Sequence, residues 1–244
     1  MNSQILRCAS PALVGIAAAL MSLSACAPRA LEVAPVSTET ESSWETLFDG
    51  ATLDLWRGFQ KDHIPSGWSV KDAVIYCAGT NGGDLITKGQ WQNFDLELEW
   101  KISEAGNSGI MYRVVEVHGA PYLTGPEMQV LDDDAHPDAA NDASHLSGAA
   151  YDLYAPAEDA TKPAGEWNSS RILVDGTHVE HWLNGVKVVE YELFSEEWNQ
   201  RVENSKWAKE PDYGRMAMGH IALQDHGDEV WYRNVRIKRL PDTQ

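Results

Sequence analysis

From Trp44 onward, apolar and polar side chains alternate repeatedly with a period of two, the mark of strands that bury one face. Phe94, Leu96, Leu98, Trp100 and Ile102 alternate with Asp95, Glu97, Glu99 and Lys101, which predicts a half-buried strand. Ile110, Tyr112 and Val114 alternate with Gly109, Met111 and Arg113. This register sets Arg113 on the face opposite the core, open to an oxyanion or a hydroxyl. Glu127–Asp132 reads the same way: Glu127 and Gln129 share one face, and Met128 and Val130 point into a core. Arg171–Val174, Val179–Leu183 and Val186–Tyr191 are separated by Asp175-Gly176 and Asn184-Gly185. Those dipeptides favour the positive backbone torsions of tight hairpins, so a three-stranded meander is expected. Further strands are expected at Ile221–Gln224 and Val230–Leu240.

One helix breaks the pattern. Ser195 can cap it, Glu196 and Glu197 suit its positive end, Trp198, Val202 and Ser205 follow at helical spacing, and Pro211 stops it. A long series of strands with a single short helix late in the chain predicts an all-β, two-sheet sandwich.

The first residues follow neither period. Met1–Ser24 holds one charge, Arg7, and an apolar run from Pro11 to Leu23 that is too short to span a membrane and reads as a signal peptide. Leu23-Ser24-Ala25-Cys26 resembles a bacterial lipobox. That resemblance implies lipidation of Cys26, a mature chain beginning there, and attachment to a membrane surface. The expected division is a signal over residues 1–25, a tether over 26–43 rich in Ala, Pro, Ser, Thr and Glu, and one domain over 44–241. The chain is then a lipoprotein of the bacterial envelope, periplasmic or on the outer surface.

Composition narrows the chemistry. Among 244 residues, 37 Asp+Glu stand against 19 Lys+Arg, a net charge of −18, so nucleic acid is excluded as a partner. Ten Trp and eight Tyr against four Phe favour flat faces with a polar edge, which suit sugar rings, although most should be core. Once Cys8 leaves with the signal and Cys26 carries lipid, Cys77 has no partner for a disulfide. It ends the apolar stretch Val74-Ile75-Tyr76 and reads as a buried thiol.

Candidate chemistry collects in three segments. Glu127 and Gln129 offer a proton-transfer group beside a hydroxyl-holding amide. Gln224 and His226 share a face after an apolar strand, and His is the side chain most readily poised near neutral pH. Asn107-Ser108-Gly109 leads into the strand that carries Arg113. A divalent cation is a weaker possibility: Asp132, Asp133, Asp134, His136 and His145 could bind one or form a solvated loop, and no zinc-protease or paired-Cys spacing is present.

Several motifs together resemble the 3-keto-disaccharide hydrolase domain family. They run from Leu47-Phe48-Asp49-Gly50 and Gly83-Asp84-Leu85-Ile86-Thr87 through Gly106-Asn107-Ser108-Gly109-Ile110 and Glu127-Met128-Gln129-Val130-Leu131-Asp132. They continue with Gly148-Ala149-x-Tyr151, Gly165-Glu166-Trp167-Asn168, Trp182-Leu183-Asn184-Gly185 and Arg233-Asn234-Val235-Arg236-Ile237. The match covers about residues 44–240, with Trp100 where many members carry Phe. The resemblance implies a concanavalin A-like jelly roll acting on glycosides oxidised at C3 of the sugar. A C3 ketone acidifies the C2 proton, and its loss as an enolate lets the C1 substituent leave by elimination, after which water can add. Glu127 or His226 would then be the base, with the other helping the leaving group. Arg113 or a metal ion would hold the enolate, and Asn107, Gln129, Tyr151 and Gln224 would hold hydroxyls.

Other classes share the fold. A lectin-like module needs the aromatic surface without acid–base groups. A laminarinase-type glycosidase needs two carboxylates about 5–5.5 Å apart, and Gln129 stands where the second is wanted. A purely structural envelope protein needs neither.

Overall fold

The computed structural model describes residues 43–80 and 82–241. The signal segment, Cys26 and the tether as far as residue 42 lie outside the described residues. In chain order the strands are β1 (Trp44–Thr46), β2 (Trp56–Gly58), β3 (Trp68–Lys71), β4 (Val74–Ala78), β5 (Leu85–Thr87), β6 (Phe94–Ile102) and β7 (Asn107–Val114). There follow β8 (Glu127–Leu131), β9 (Asn168–Asp175), β10 (His178–Leu183), β11 (Val186–Glu192), β12 (His220–Leu223) and β13 (Glu229–Arg239), with helix α1 (Glu196–Glu203) before β12.

These strands form a jelly-roll sandwich of two antiparallel sheets. The larger runs β11-β10-β9-β6-β13-β4-β3, with β1 paired to β13, and the smaller runs β2-β5-β12-β7-β8. Strand β6 shows the cause most plainly, since its residues alternate buried and half-buried along its whole length. Phe94, Leu96, Leu98, Trp100 and Ile102 enter the core, and Glu97 and Glu99 stay outside to pair with Arg236 and Arg233 of β13. The meander β9-β10-β11 turns at the two expected dipeptides, with Gly176, Asn184 and Gly185 all at positive φ.

Six of the ten tryptophans are buried: Trp56, Trp68, Trp91, Trp100, Trp198 and Trp207. Several buried indole N–H groups find acceptors, Trp56 on the Leu47 carbonyl, Trp68 on the Gly83 carbonyl and Trp100 on the Ser170 hydroxyl. Cys77 is fully buried in β4, and burial pushes its thiol pKa up to about 12, so it stays protonated and inert.

Two expectations are corrected here. The helix ends at Glu203, well before Pro211, and Ser205 lies beyond it. Ser205 instead caps a separate short turn, Lys206–Lys209, by accepting from the Trp207 N–H. The second correction concerns Arg113. Between Met111 and Val114, β7 carries one residue more than β12 carries between Ala222 and His220, which is a β-bulge. Arg113 takes the extra place at φ +54°, and the alternation inverts beyond it. Val114 therefore joins Met111 in a small apolar cluster with Phe59, Ile86 and Ala222, outside the main core. Gly219 backs onto the bulge, where a Cβ would lie 2.3 Å from the Arg113 carbonyl carbon.

Candidate active site

A cleft of about 380 Å³ opens on the side of the smaller sheet that faces away from the core. Strand β8 supplies its floor, because Met128 and Val130 fill the core and so turn Glu127 and Gln129 outward. Strand β7 lies beside β8, with Gly109 opposite Gln129 and Met111 opposite Glu127. The Glu127 side chain leans across Gly109, where an added Cβ would come within 1.7 Å of Oε1. Any larger residue at 109 would displace the carboxyl.

Asn107 enters at the start of β7, its backbone N–H donating to Asp228. Gln224 extends β12, held by its own N–H on the Gly109 carbonyl and by the Ser108 hydroxyl on its carbonyl. His226 follows in a loop pinned by Asp225, which accepts from the N–H groups of Gly83 and Gly227. The opposite wall carries the aromatic rings of Tyr122, Tyr151 and Trp207 together with Leu123, the base Lys206 and the acid Glu210. The Lys206 ammonium lies 4.0 Å from the centre of the Tyr151 ring and 4.6 Å from that of Trp207, a cation seated on two π faces.

The electrostatics centre on Glu127. The residue is 4% exposed, and no donor among the described residues binds its carboxyl. Burial pushes its pKa up to about 8, with Asp84 and Asp138 adding to the rise and Lys206 opposing it. Asp84, just before β5, is itself raised to about 6 by burial, against the Asp225 N–H that it accepts. Partial loss of hydration holds Lys206 below the usual lysine value, while Glu127, Asp152 and Asp138 pull it upward. The cleft therefore holds a carboxyl that burial keeps largely protonated at pH 7, the Lys206 ammonium, and a second carboxyl, Glu210.

Two buried atoms of cleft-lining residues have no partner among the described residues. Gln129 Nε2 is a buried donor and Gln224 Oε1 a buried acceptor, and neither is satisfied within the described protein. Buried polar atoms are seldom left open, so a donor and an acceptor in one cleft suit a ligand that offers both, as a sugar hydroxyl does.

Six of the seven residues singled out from sequence line this cleft: Asn107, Glu127, Gln129, Tyr151, Gln224 and His226. Arg113 does not. The bulge turns its guanidinium to the carbonyls of Gln92 and Gly176 and the side chain of Asn93, where it is 4% exposed and ties loops together. The cation that reaches the cleft is Lys206, which the sequence reading missed. Its signal was Ser205, a capping residue just past the helix end that starts a new turn.

Tyr151 reaches the cleft as expected, with one constraint on how it can meet a hydroxyl. Its O–H donates to Asp138, so only lone pairs and the ring face remain for a ligand. His145 stacks on that ring at 4.6 Å, with its nitrogens 2.9 Å from Asp138 and 3.1 Å from Asp152. Asp152 in turn accepts the Lys206 backbone N–H, so one half-buried network positions Tyr151 and Lys206 together.

The acidic run does not converge into a cation cage. Asp132 accepts backbone N–H groups of Ala105 and Asp134, Asp133 accepts from Ser147 and Thr161, and His136 Nδ1 accepts the Asp138 N–H. These donors shape turns, and His145 serves the network described above. A larger concavity of about 780 Å³ lies on the outer face of the other sheet, but its Glu97 and Glu99 are already paired with arginines.

Comparison with known proteins gives a consistent picture. The profile of the 3-keto-alpha-glucoside-1,2-lyase-like domain matches residues 43–238. A 3-keto-disaccharide hydrolase of Bacteroides thetaiotaomicron is 38% identical over 225 residues, spanning 80% of this chain and 78% of that protein. Two crystal structures of Parabacteroides distasonis proteins, each provisionally designated a glycosyl hydrolase, are also similar. One is 38% identical with a TM-score of 0.77, covering 81% of this chain and 94% of its own. The other is 26% identical with a TM-score of 0.64, covering 81% of this chain and all of its own.

Proposed function

The chain belongs to the 3-keto-alpha-glucoside-1,2-lyase-like domain family, and we propose that it is a glycoside-processing enzyme that cleaves 3-keto-glycosides by C2 proton abstraction. The observation that carries this reading is the pairing of a buried, uncompensated Glu127 with Lys206 in a cleft that also holds an open amide donor and acceptor. A module that only held sugar would gain nothing from a carboxyl whose pKa sits near neutrality. A two-carboxylate glycosidase of the kind that carries both acids on one strand would want an acid where Gln129 stands, and the cleft's other carboxyl, Glu210, comes from the turn after α1 instead.

The steps follow from ordinary carbonyl chemistry. His226 takes the C2 proton, and the C–H bonding pair becomes an enolate whose negative charge rests on the C3 oxygen. Lys206 supports that oxygen in place of Arg113, stabilising charge where it develops. Collapse of the enolate restores the C3 ketone, forms the C1–C2 double bond and breaks the C1–O bond. Glu127, protonated at pH 7, gives its proton to the departing oxygen. Water adding at C1 with a proton returned to C2 completes hydrolysis. Asn107, Gln129 and Gln224 hold hydroxyls, and Tyr151 and Trp207 flank the ring. The cleft volume suits a substrate of one or two sugar rings.

His226→Ala and Glu127→Gln should each lower turnover of a 3-keto-glucoside by about 10²–10⁴ with the fold intact by circular dichroism. Unchanged turnover in both variants would remove the assignment. We also propose that Cys26 carries lipid and holds the enzyme at the bacterial envelope, on the motif Leu23-Ser24-Ala25-Cys26. The expressed protein should partition into the detergent phase and Cys26→Ser into the aqueous phase; equal partition would contradict the anchor.

A further inference from the structure

The hairpin β10-β11 carries a second cluster of reactive side chains, on the opposite sheet from the cleft. Within β10, Val179, His181 and Leu183 are buried, so His178 and Glu180 face outward. The register sets His178 directly opposite Glu192, and Glu180 directly opposite Glu190. Two carboxylates face to face across a strand pair repel unless a cation lies between them, a place the Lys187 ammonium takes in this structure and a metal ion could take instead.

The donor geometry shows which cation fits. His178 Nδ1 lies 2.7 Å from Glu192, whose other oxygen accepts from the Thr177 hydroxyl at 2.8 Å. That fixes the ring and leaves Nε2 facing Glu180 Oε1 at 3.4 Å and Glu190 Oε1 at 3.6 Å. These separations are long for hydrogen bonds but close to the edge of a tetrahedron, about 3.3–3.4 Å for arms of about 2.0–2.1 Å to nitrogen and oxygen. Glu180 is oriented in its turn, since its Oε2 accepts the Trp182 indole N–H at 2.8 Å. A histidine whose second nitrogen is held by a carboxylate, beside an oriented carboxylate, is the usual outer support of a zinc ligand set. Among the described residues, His178, Glu180 and Glu190 are the one group of three donors that converge this way.

We propose that His178 Nε2, Glu180 and Glu190 bind a zinc-class divalent ion, clipping the edge strand β11 to β10. Lys187 is the competitor. Its ammonium lies 3.2 Å from Glu180 and 2.6 Å from Glu190, bridging the carboxylates that the ion would take, and its flexible stem lets it swing away. The site is structural and owes nothing to the reaction proposed for the cleft.

Titration of the untagged, metal-free protein with Zn²⁺, followed by calorimetry and by Trp182 fluorescence, tests this. One ion should bind per chain, and Ni²⁺ should quench the indole beside Glu180. His178→Gln and Glu190→Gln should each weaken binding tenfold or more, and Lys187→Met should tighten it by about three- to tenfold. Equal affinity in wild type and His178→Gln, or no binding at 100 µM (on the order of a loose surface site), would overturn the proposal. Because turnover in the cleft is not the readout, failure of this site and failure of the cleft assignment are separate results.

Discussion

Glu127 is where the physics of a single side chain decides most. Its folded pKa of about 8 lies above the ordinary 4.5, so the folded protein holds a proton that the unfolded chain loses. Stability is then fully present below pH 4.5 and falls as pH rises toward 8. Glu127→Gln removes that loss: it should be about 1–3 kcal/mol more stable than wild type at pH 8 and little different at pH 4, while turnover is lost. Denaturant titrations at the two pH values check this. A second contrast separates the two cations. Lys206→Met should lower kcat by about 10²–10³ with stability nearly unchanged. Arg113→Met should cost about 2–4 kcal/mol of stability, because it strips acceptors at Gln92, Asn93 and Gly176, yet leave kcat near wild type in the folded fraction. Alternation along the strand correctly faced Glu127 and Gln129 outward. It could not reveal that Tyr151 spends its hydroxyl on Asp138, since that bond joins segments whose meeting no local pattern encodes.

At the scale of elements, turns and bulges explain both what was legible and what was not. The meander β9-β10-β11 could be read because Asp175-Gly176 and Asn184-Gly185 each specify a turn by backbone torsion alone. Alternation alone misplaces Arg113, because one inserted residue reverses every later side chain and no apolar residue marks the insertion. The turn after α1 is hidden in the sequence because Ser205 continues the helical spacing of Trp198 and Val202 while acting as a cap. That turn delivers Lys206, so weakening it should be felt in the cleft. Ser205→Ala should cost about 0.5–2 kcal/mol and lower kcat/KM several-fold, and Ser205→Asp, which can still cap, should retain most of both. Melting curves and steady-state kinetics on the two variants decide it.

For the whole molecule, the sandwich does two things with its faces. The apolar faces meet in one core, and the outward face of the smaller sheet, roofed by the segment from Lys206 to Glu210, becomes a walled cleft. The sandwich class was legible from the number and spacing of strands. The convergence of β7, β8, β12 and the turn after α1 on one site depends on pairings between distant segments, and only the resemblance to a family anticipated it. The aromatic excess of the sequence is mostly core, and Trp207 alone of the ten tryptophans lines the cleft. In a chain of net charge −18, the Lys206 ammonium reaches the cleft on the same segment as the Glu210 carboxyl. The central claim is that the bond breaks through loss of the C2 proton beside a C3 ketone, and proton NMR in D₂O tests it most directly. Given a 3-keto-glucoside and its unoxidised parent, the enzyme should exchange the C2 proton and release the aglycone of the first while leaving the second untouched. Cleavage of the parent at a comparable rate, with the C2 proton retained in both, would contradict the account.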